Sequence, residues 1–347
     1  MVAAPAMTTR TTQPTRRERL LALLADGEFH SGERLAARLR VSRSAIWKIV
    51  RTLRELGIEI EAAAKQGYRL SQPVELYNRA DIINALLQSQ SSITNDDIAS
   101  LDVLLAIDST NRYLVDAQAS PPRTAQICVA EIQSAGRGRR GRSWVAPFGS
   151  GLCLSLAWHF EESPPTLTAL SLAIGVAVVR ALDQFGDNEV QLKWPNDLLW
   201  RRRKLGGILI EMRGESGGPT RVVIGLGLNV RMPASARLNL AEQQATLVAD
   251  LHEALGQRTP GRNALLAGII AELMVTLRAF EQNGFAAFAD EWRARDALRD
   301  APVRVLLANE VISGTARGAA PDGALLVEVA GEMQRFVSGD VSLRASA

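Results

Sequence analysis

A chain of 347 residues, 47% hydrophobic and 22% charged, is long enough for two or three domains with sizeable cores and has an ordinary globular composition. It holds no uninterrupted run of 18 apolar residues, which argues against a membrane span, and its first fifteen residues lack the apolar stretch of a secretory signal. The net charge of +3 is unevenly spread: residues 10–69 carry 13 Lys or Arg against 7 Asp or Glu, an excess of +6 that leaves the rest near −3.

Residues 1–15, rich in Thr, Ala, Pro and Arg, read as a disordered tail or as the result of a mis-called start, with Met7 the true one. Leucines on one face from Arg17 to Leu24 predict a helix closed by Gly27. Ser31 caps a second helix over 32–39, and Arg43–Gly57 repeats apolar residues at three- and four-residue spacing. Strand, turn and strand follow over 58–70, so residues 16–75 predict a winged helix-turn-helix. Its third helix sets Arg43, Ser44, Trp47, Lys48 and Arg51 opposite Ile46, Ile49, Val50 and Leu53. That basic face suits the groove and phosphates of DNA; the alternative is a module for protein contacts. A single recognition helix binds weakly, so specific binding would need a dimer on a two-fold site.

Residues 76–300 form a second unit. A helix over 81–87 and a polar stretch at 88–100 lead to the strand Val103–Ile107 and to Asp108-Ser109-Thr110-Asn111, which caps the next helix or presents polar groups to a small ligand. After the strand Gln126–Ile132 comes Gly136-Arg137-Gly138-Arg139-Arg140-Gly141-Arg142. Its glycines leave the backbone free, and its arginines repel one another unless an anion joins them. The spacing also matches a dinucleotide-binding fingerprint, but that needs a helix opening on the last glycine, whereas Ser143–Gly149 carries Pro147 and turn residues. An anion-binding loop is the stronger reading, against an unliganded basic loop.

Next come a strand over 152–158, a long apolar helix over 167–185 and a strand at 190–194 that meets Pro195, Asn196 and Asp197 at its end, where site residues commonly sit. Arg201–Lys204 is a basic turn before the strand 205–211. The strand 221–230 carries Gly225 and Gly227 on one face, leaving room for a flat ligand or for close packing. Cys128 and Cys153 lie in apolar runs and read as buried, reduced thiols of a cytosolic protein. His30, His159 and His252 show no metal-ligand spacing. Residues 301–347 hold short strands at 303–307, 310–313, 314–318, 324–328 and 335–337, with turns at Asn309 and 321–323, and a closing stretch at 339–344.

Together these segments resemble the bifunctional biotin–protein ligases that also repress the biotin operon, from about residue 16 to the C-terminus. The resemblance rests on Asp108–Asn111, Gln133–Arg142 with Trp144, Lys193–Asp197, Arg203–Ile208 and Gly225–Asn229. It implies an α/β (α+β) chain: a winged helix-turn-helix, a central mixed-sheet, class II synthetase-like ligase domain, and a C-terminal SH3-like β-barrel. It implies formation of biotinyl-5′-AMP from biotin and ATP, then transfer of biotin to a lysine of the biotin carboxyl carrier domain of acetyl-CoA carboxylase. Ser109, Thr110, Asn111 and Gln133 would hold biotin, with Gly225 and Gly227 on the pocket floor. Arg137, Gly138 and Arg139 would close over carboxylate and phosphate, and Lys204 would bind both. Trp144, Asn196, Arg140, Arg142, Asn229 and Arg317 would serve ATP or the adenylate, and Asp197 would lie near Mg²⁺. Operator DNA, a ligand-promoted homodimer built through edge strands at 206–211 or 221–230, and a cytoplasmic location complete the expectation. The chemistry agrees: bringing a carboxylate to a triphosphate needs cations to offset repulsion, and no protein nucleophile is required.

Overall fold

The computed structural model describes residues 14–89, 93–161, 167–186, 189–214, 219–244, 247–307, 310–337 and 342–345. The expectations for residues 1–13, Asn309 and 339–341 lie outside these. Helix α1 (Arg16–Leu24) opens on a capping box: Thr15 accepts from Glu18 N, and the Glu18 carboxylate accepts from Thr15 N at 2.7 Å. Thr15 is therefore a helix cap and not the end of a tail. Ser31 and Ser42 cap α2 (Gly32–Leu39) and α3 (Arg43–Glu55) through their hydroxyls. Leu20, Leu24, Leu35, Leu39, Ile46, Val50 and Leu53 converge in one small core. The wing is the hairpin β1 (Ile60–Ala63) and β2 (Gly67–Leu70), in register from Ile60↔Leu70 to Ala63↔Gly67.

This small core does not end at its own boundary. Val74, Leu76, Leu105, Ile132 and Phe148 pack against it, so the winged helix rests on the next domain. Below that contact lies a buried polar junction. The Arg262 guanidinium donates to Glu131 Oε2 at 2.8 Å, Glu75 O at 2.8 Å and Gly151 O at 3.0 Å, and sits 4.0 Å from the centroid of the Tyr77 ring. Glu131 Oε1 in turn accepts from Tyr77 N at 2.7 Å. Residues 75–78, which join the two domains, are thus held from two sides.

The second domain runs through α4 (Arg79–Gln88), β3 (Ile98–Ile107), α5 (Thr110–Asp116), β4 (Ala125–Gln133), β5 (Gly151–Phe160), α6 (Leu170–Asp183), β6 (Val190–Lys193), β7 (Asp197–Trp200), β8 (Arg203–Gly214), β9 (Thr220–Asn229), α7 (Ala234–Gln244), α8 (Leu251–Leu255), α9 (Arg262–Asn283) and α10 (Ala289–Ala294). Its seven strands form one mixed sheet in the order β3-β4-β5-β9-β8-β7-β6, with only β3 and β4 parallel. Apolar α6 and α9 pack on one face over a continuous core that includes Trp158, Phe160, Ile174, Val178, Leu192, Ile269 and Phe280. Though α9 is long and apolar, it is a core helix, with Leu265, Leu266, Ile269, Ile270, Leu273 and Leu277 fully buried. Strand β3 begins at Ile98, inside the stretch expected to be polar loop. There Ile98 and Leu101 are both buried although three positions apart, because the register with β4 shifts between Ile98 and Ser100.

Strand order corrects one expectation. Strand β9 has β5 on one side and β8 on the other, so 221–230 cannot be an edge. Strand β7 pairs β8 only from Arg203 to Gly207. Beyond that point, among the described residues, β8 has a strand neighbour only on its β9 side.

The C-terminal unit is a five-stranded antiparallel sheet of β10 (Pro302–Leu306), β11 (Val311–Ala319), β12 (Leu325–Val329), β13 (Glu332–Phe336) and β14 (Ser342–Ala345), ordered β13-β12-β11-β10-β14. The two strands expected at 310–313 and 314–318 are one, since the ladder with β10 runs unbroken from Val311 to Thr315. The Asp322–Gly323 turn returns to the second domain, where Gly323 O accepts from Trp194 Nε1 at 2.9 Å.

Candidate functional site

The mixed sheet has strand ends on which side chains can meet. A cavity of about 790 Å³ opens there, walled by the start of α5, the 137–145 loop, β8, β9 and the turn between β6 and β7. Because Ser109 is the N-cap of α5 and accepts from Arg112 N, the next two residues, Thr110 and Asn111, turn inward. All three are 3% exposed. The side-chain Oε1 of Gln133 accepts from Thr110 N at 2.8 Å and from Thr110 Oγ1 at 3.1 Å.

Ser155, fully buried on β5, lies 2.8 Å from Thr110 Oγ1 and donates to Asn111 Oδ1 at 2.5 Å. Sequence reading missed Ser155 because it is one small hydroxyl in an apolar strand. The available signal was that it shares a strand face with the small residues Cys153 and Ala157, alternating with Leu152, Leu154 and Leu156.

The two floor glycines make close approaches. A Cβ on Gly225 would meet Asn111 Oδ1 at 2.3 Å, and one on Gly227 would meet Trp144 Cε2 at 2.3 Å. The indole and the amide therefore occupy space that a side chain on β9 would fill. Cys153 pairs with Gly227 across the β5–β9 ladder and lies on the same face as Ser155. Burial pushes its thiol up to about 11 and raises that of Cys128 further; both cysteines are free and buried, and such thiols ionise reluctantly.

At the other end the cavity is cationic. Lys204 Nζ donates to Asp197 Oδ1 at 2.7 Å. Arg139 reaches Asn196 Oδ1 at 3.3 Å, and Asn196 Nδ2 donates to Ile208 O at 2.7 Å. Burial, and then the charge of Arg140, pull the Arg139 guanidinium below its ordinary value, against the pull of Asp197. Such a cation gains from an added anion. Arg140 and Arg142 also line the cavity, as do Lys193 and Arg202, which stand in the runs 193–197 and 201–204 noted from sequence but were given no role in the site. Leu240, Leu247 and Val248 form an apolar flank; they come from a region in which the sequence had suggested no site.

Two expected residues are placed differently. Asn229 lines the cavity but is 2% exposed, and its amide donates to Lys204 O at 3.3 Å and Ala249 O at 3.0 Å; it holds the backbone that carries Lys204. Arg317 does not line the cavity. It pairs with Asp300 at 2.5 Å and Glu328 at 2.8 Å on β11, where neighbouring carboxylates already satisfy it. Among the described residues, no group of three His, Cys, Asp or Glu could hold a metal ion. Asp197 is a single carboxylate, a donor set that suits Mg²⁺ only when substrate phosphates bring it.

On the winged helix, Arg43, Ser44, Trp47, Lys48 and Arg51 all face solvent. Trp47 is 52% exposed, with the Arg51 guanidinium 5.2 Å from its ring centroid, and Arg43 pairs with Glu33 at 3.2 Å.

Comparison with known proteins matches this layout. The biotin/lipoate A/B protein ligase family matches residues 103–229, a helix-turn-helix domain matches 16–69, and the biotin protein ligase C-terminal domain matches 301–344. The bifunctional ligase/repressor BirA of Salmonella typhimurium is 40% identical over 94% of this chain and 97% of its own. The chain belongs to the family of bifunctional biotin–protein ligases. BirA of Bacillus subtilis is 29% identical over 92% of this chain and 95% of its own. The biotin protein ligase of Aquifex aeolicus, solved in complex with biotin and ATP, covers 71% of this chain and 99% of its own at a TM-score of 0.59 and 25% identity. Family membership accounts for the three-part order of winged helix, mixed sheet and C-terminal sheet in one chain.

Proposed function

We propose that this chain is an ATP-dependent biotin–protein ligase. The observation that carries the reading is a single cavity with a polar, glycine-floored end at Thr110, Asn111, Gln133, Gly225 and Gly227 and a cationic end at Arg137, Arg139 and Lys204. The polar end suits a ureido ring system, whose N–H and C=O groups need fixed partners when water is excluded. The cationic end suits the carboxylate and α-phosphate between which a bond forms. In the first step a biotin carboxylate oxygen attacks the α-phosphorus of ATP and pyrophosphate leaves. Lys204 and Arg139 offset the negative charge gathered there, and Asp197 orients Lys204. Mg²⁺ would arrive on the phosphates beside Asp197 and neutralise part of their charge. Leu240, Leu247 and Val248, with Trp144, suit the faces of the adenine base. In the second step a lysine amine of a biotin carboxyl carrier domain attacks the acyl carbon of biotinyl-5′-AMP, AMP leaves with the bonding pair, and the amine loses a proton. Incubation with biotin, MgATP and that carrier domain should attach one biotin; no labelling under saturating conditions would overturn the ligase.

The exposed basic face of α3 favours a second activity: repression of biotin-synthesis genes, with biotinyl-5′-AMP promoting a homodimer that binds operator DNA. The half-paired β8 strand supports a sheet-to-sheet dimer. A gel shift on the protein's own biotin-synthesis promoter should depend on the adenylate. Indifference to it would leave a cytoplasmic ligase whose winged helix does not regulate.

A further inference from the structure

Glu211 lies outside the cavity wall, yet it joins the wall's two halves. On β8, opposite Val223, its Oε2 accepts from Asn111 Nδ2 at 2.9 Å and from Arg137 at 2.7 Å. Asn111 belongs to the floor and is buried, with its Oδ1 taken by Ser155. Arg137 is the first arginine of the 136–142 loop. Its backbone is tied back locally, by the Arg137↔Ser143 bridge, the Gly138 N to Arg142 O bond of 2.7 Å and the Trp144 N to Gly136 O bond of 2.9 Å. One carboxylate oxygen shared by an amide and a guanidinium couples them, because displacing either donor changes the charge the other feels. Glu211 also settles the amide orientation of Asn111: nitrogen toward the carboxylate, oxygen toward Ser155.

We propose that Glu211 is a positioning residue for the ligase reaction, fixing Asn111 on the pocket floor and anchoring the arginine loop through the same oxygen. Opening of the loop at Arg137 and loosening of the floor at Asn111 are then one event, and Glu211 governs how long the adenylate is retained. The inference rests on the ligase reading above, in which the loop covers the adenylate.

The full-length protein, loaded with labelled biotin and MgATP and then chased with unlabelled biotin, reports adenylate loss directly. Glu211→Gln keeps the shape and an acceptor but removes the charge; it should lose adenylate about tenfold faster with an unchanged unfolding midpoint. Arg137→Ala should do the same, and the double variant should be no faster than Arg137→Ala alone, since both remove one link. Wild-type loss should also quicken with ionic strength, while loss from Glu211→Gln should not. A wild-type dissociation rate in Glu211→Gln, or effects that multiply in the double variant, would overturn the proposal. Arg139→Ala separates the two levels of the argument. If it loses adenylate faster while Glu211→Gln does not, only the role of Glu211 falls; if neither variant differs from wild type, the covering loop falls with it.

Discussion

The indole of Trp144 lies against the bare Cα of Gly227, with Cε2 and Cζ2 at 2.3 and 2.6 Å from where a Cβ would stand. Gly225, two residues earlier, makes the same allowance for the Asn111 amide. A methyl group at either position must displace a different half of the site. Gly225→Ala should raise KM for biotin at least tenfold while leaving KM for ATP within a few-fold. Gly227→Ala should raise both, because Trp144 moves. Pyrophosphate-release kinetics under varied biotin and ATP would read this split, and equal effects of the two variants would contradict the assignment of the two ends.

Ser155 offers a finer test of the floor. Its hydroxyl is fully buried between Thr110 and Asn111, and losing a buried hydrogen bond costs about 1–2 kcal/mol. Ser155→Ala should therefore weaken biotin binding roughly 5- to 30-fold and barely alter the rate at saturation. Calorimetric titration with biotin checks it; unchanged affinity would mean that Asn111 holds its place without help.

Lys204 and Asp197 form an ion pair about a quarter exposed on each side. In the proposed reaction the lysine faces charge that develops at the phosphorus, so Lys204→Ala should cut the adenylation rate by roughly 10²–10³-fold, the scale of one lost transition-state donor. Transfer from chemically supplied biotinyl-5′-AMP should suffer far less. A matching loss in both half-reactions would assign Lys204 to structure.

Much of this site was legible because its residues travel in short runs: Asp108–Asn111, Gly136–Arg142, Lys193–Asp197 and Gly225–Gly227 each bring chemistry within a few positions. What escaped was made of single residues far apart in sequence. Arg262 and Glu131 form a buried pair, each no more than 7% exposed, across 131 positions, and neither sits in a recognisable pattern. Ser155 and Glu211 are lone polar residues in apolar strands. Helices α7 to α9 were not read at all, since long apolar periodicity identifies a core but not what it packs on. Arg317 was misplaced because a conspicuous arginine on a C-terminal strand carries no mark of the carboxylates around it.

That junction makes a stability prediction. Removing one member of a buried ion pair leaves the other charge uncompensated and costs about 3–5 kcal/mol. Arg262→Ala should lower stability by that amount and, by freeing Glu75 and Tyr77, make the 71–78 segment newly sensitive to proteolysis. Chemical denaturation with limited digestion tests both, and a loss below about 1 kcal/mol would reduce the junction to a surface-like pair.

Asp296 supplies a pH dependence independent of the site. It lies where the chain leaves α10 for the C-terminal sheet, with Oδ1 accepting from Leu298 N at 3.0 Å and Oδ2 buried with no hydrogen-bond partner among the described residues. Burial is the main cause that raises its carboxyl from 3.8 to about 6; Leu298 N and Arg299 oppose the rise, and Asp300 adds to it. The folded chain thus holds this proton more tightly than the unfolded chain. Its stabilising contribution is complete below about pH 4 and fades as pH rises through about 6. Above that, the ionised carboxylate is a net cost. Asp296→Asn should stabilise the protein at pH 7.5 by on the order of 1–3 kcal/mol and give almost nothing near pH 4. Denaturation midpoints across that range measure the difference. A gain of equal size at both ends would show that the carboxyl does not titrate in the folded state, and no gain at pH 7.5 would show that its unpartnered oxygen is solvated.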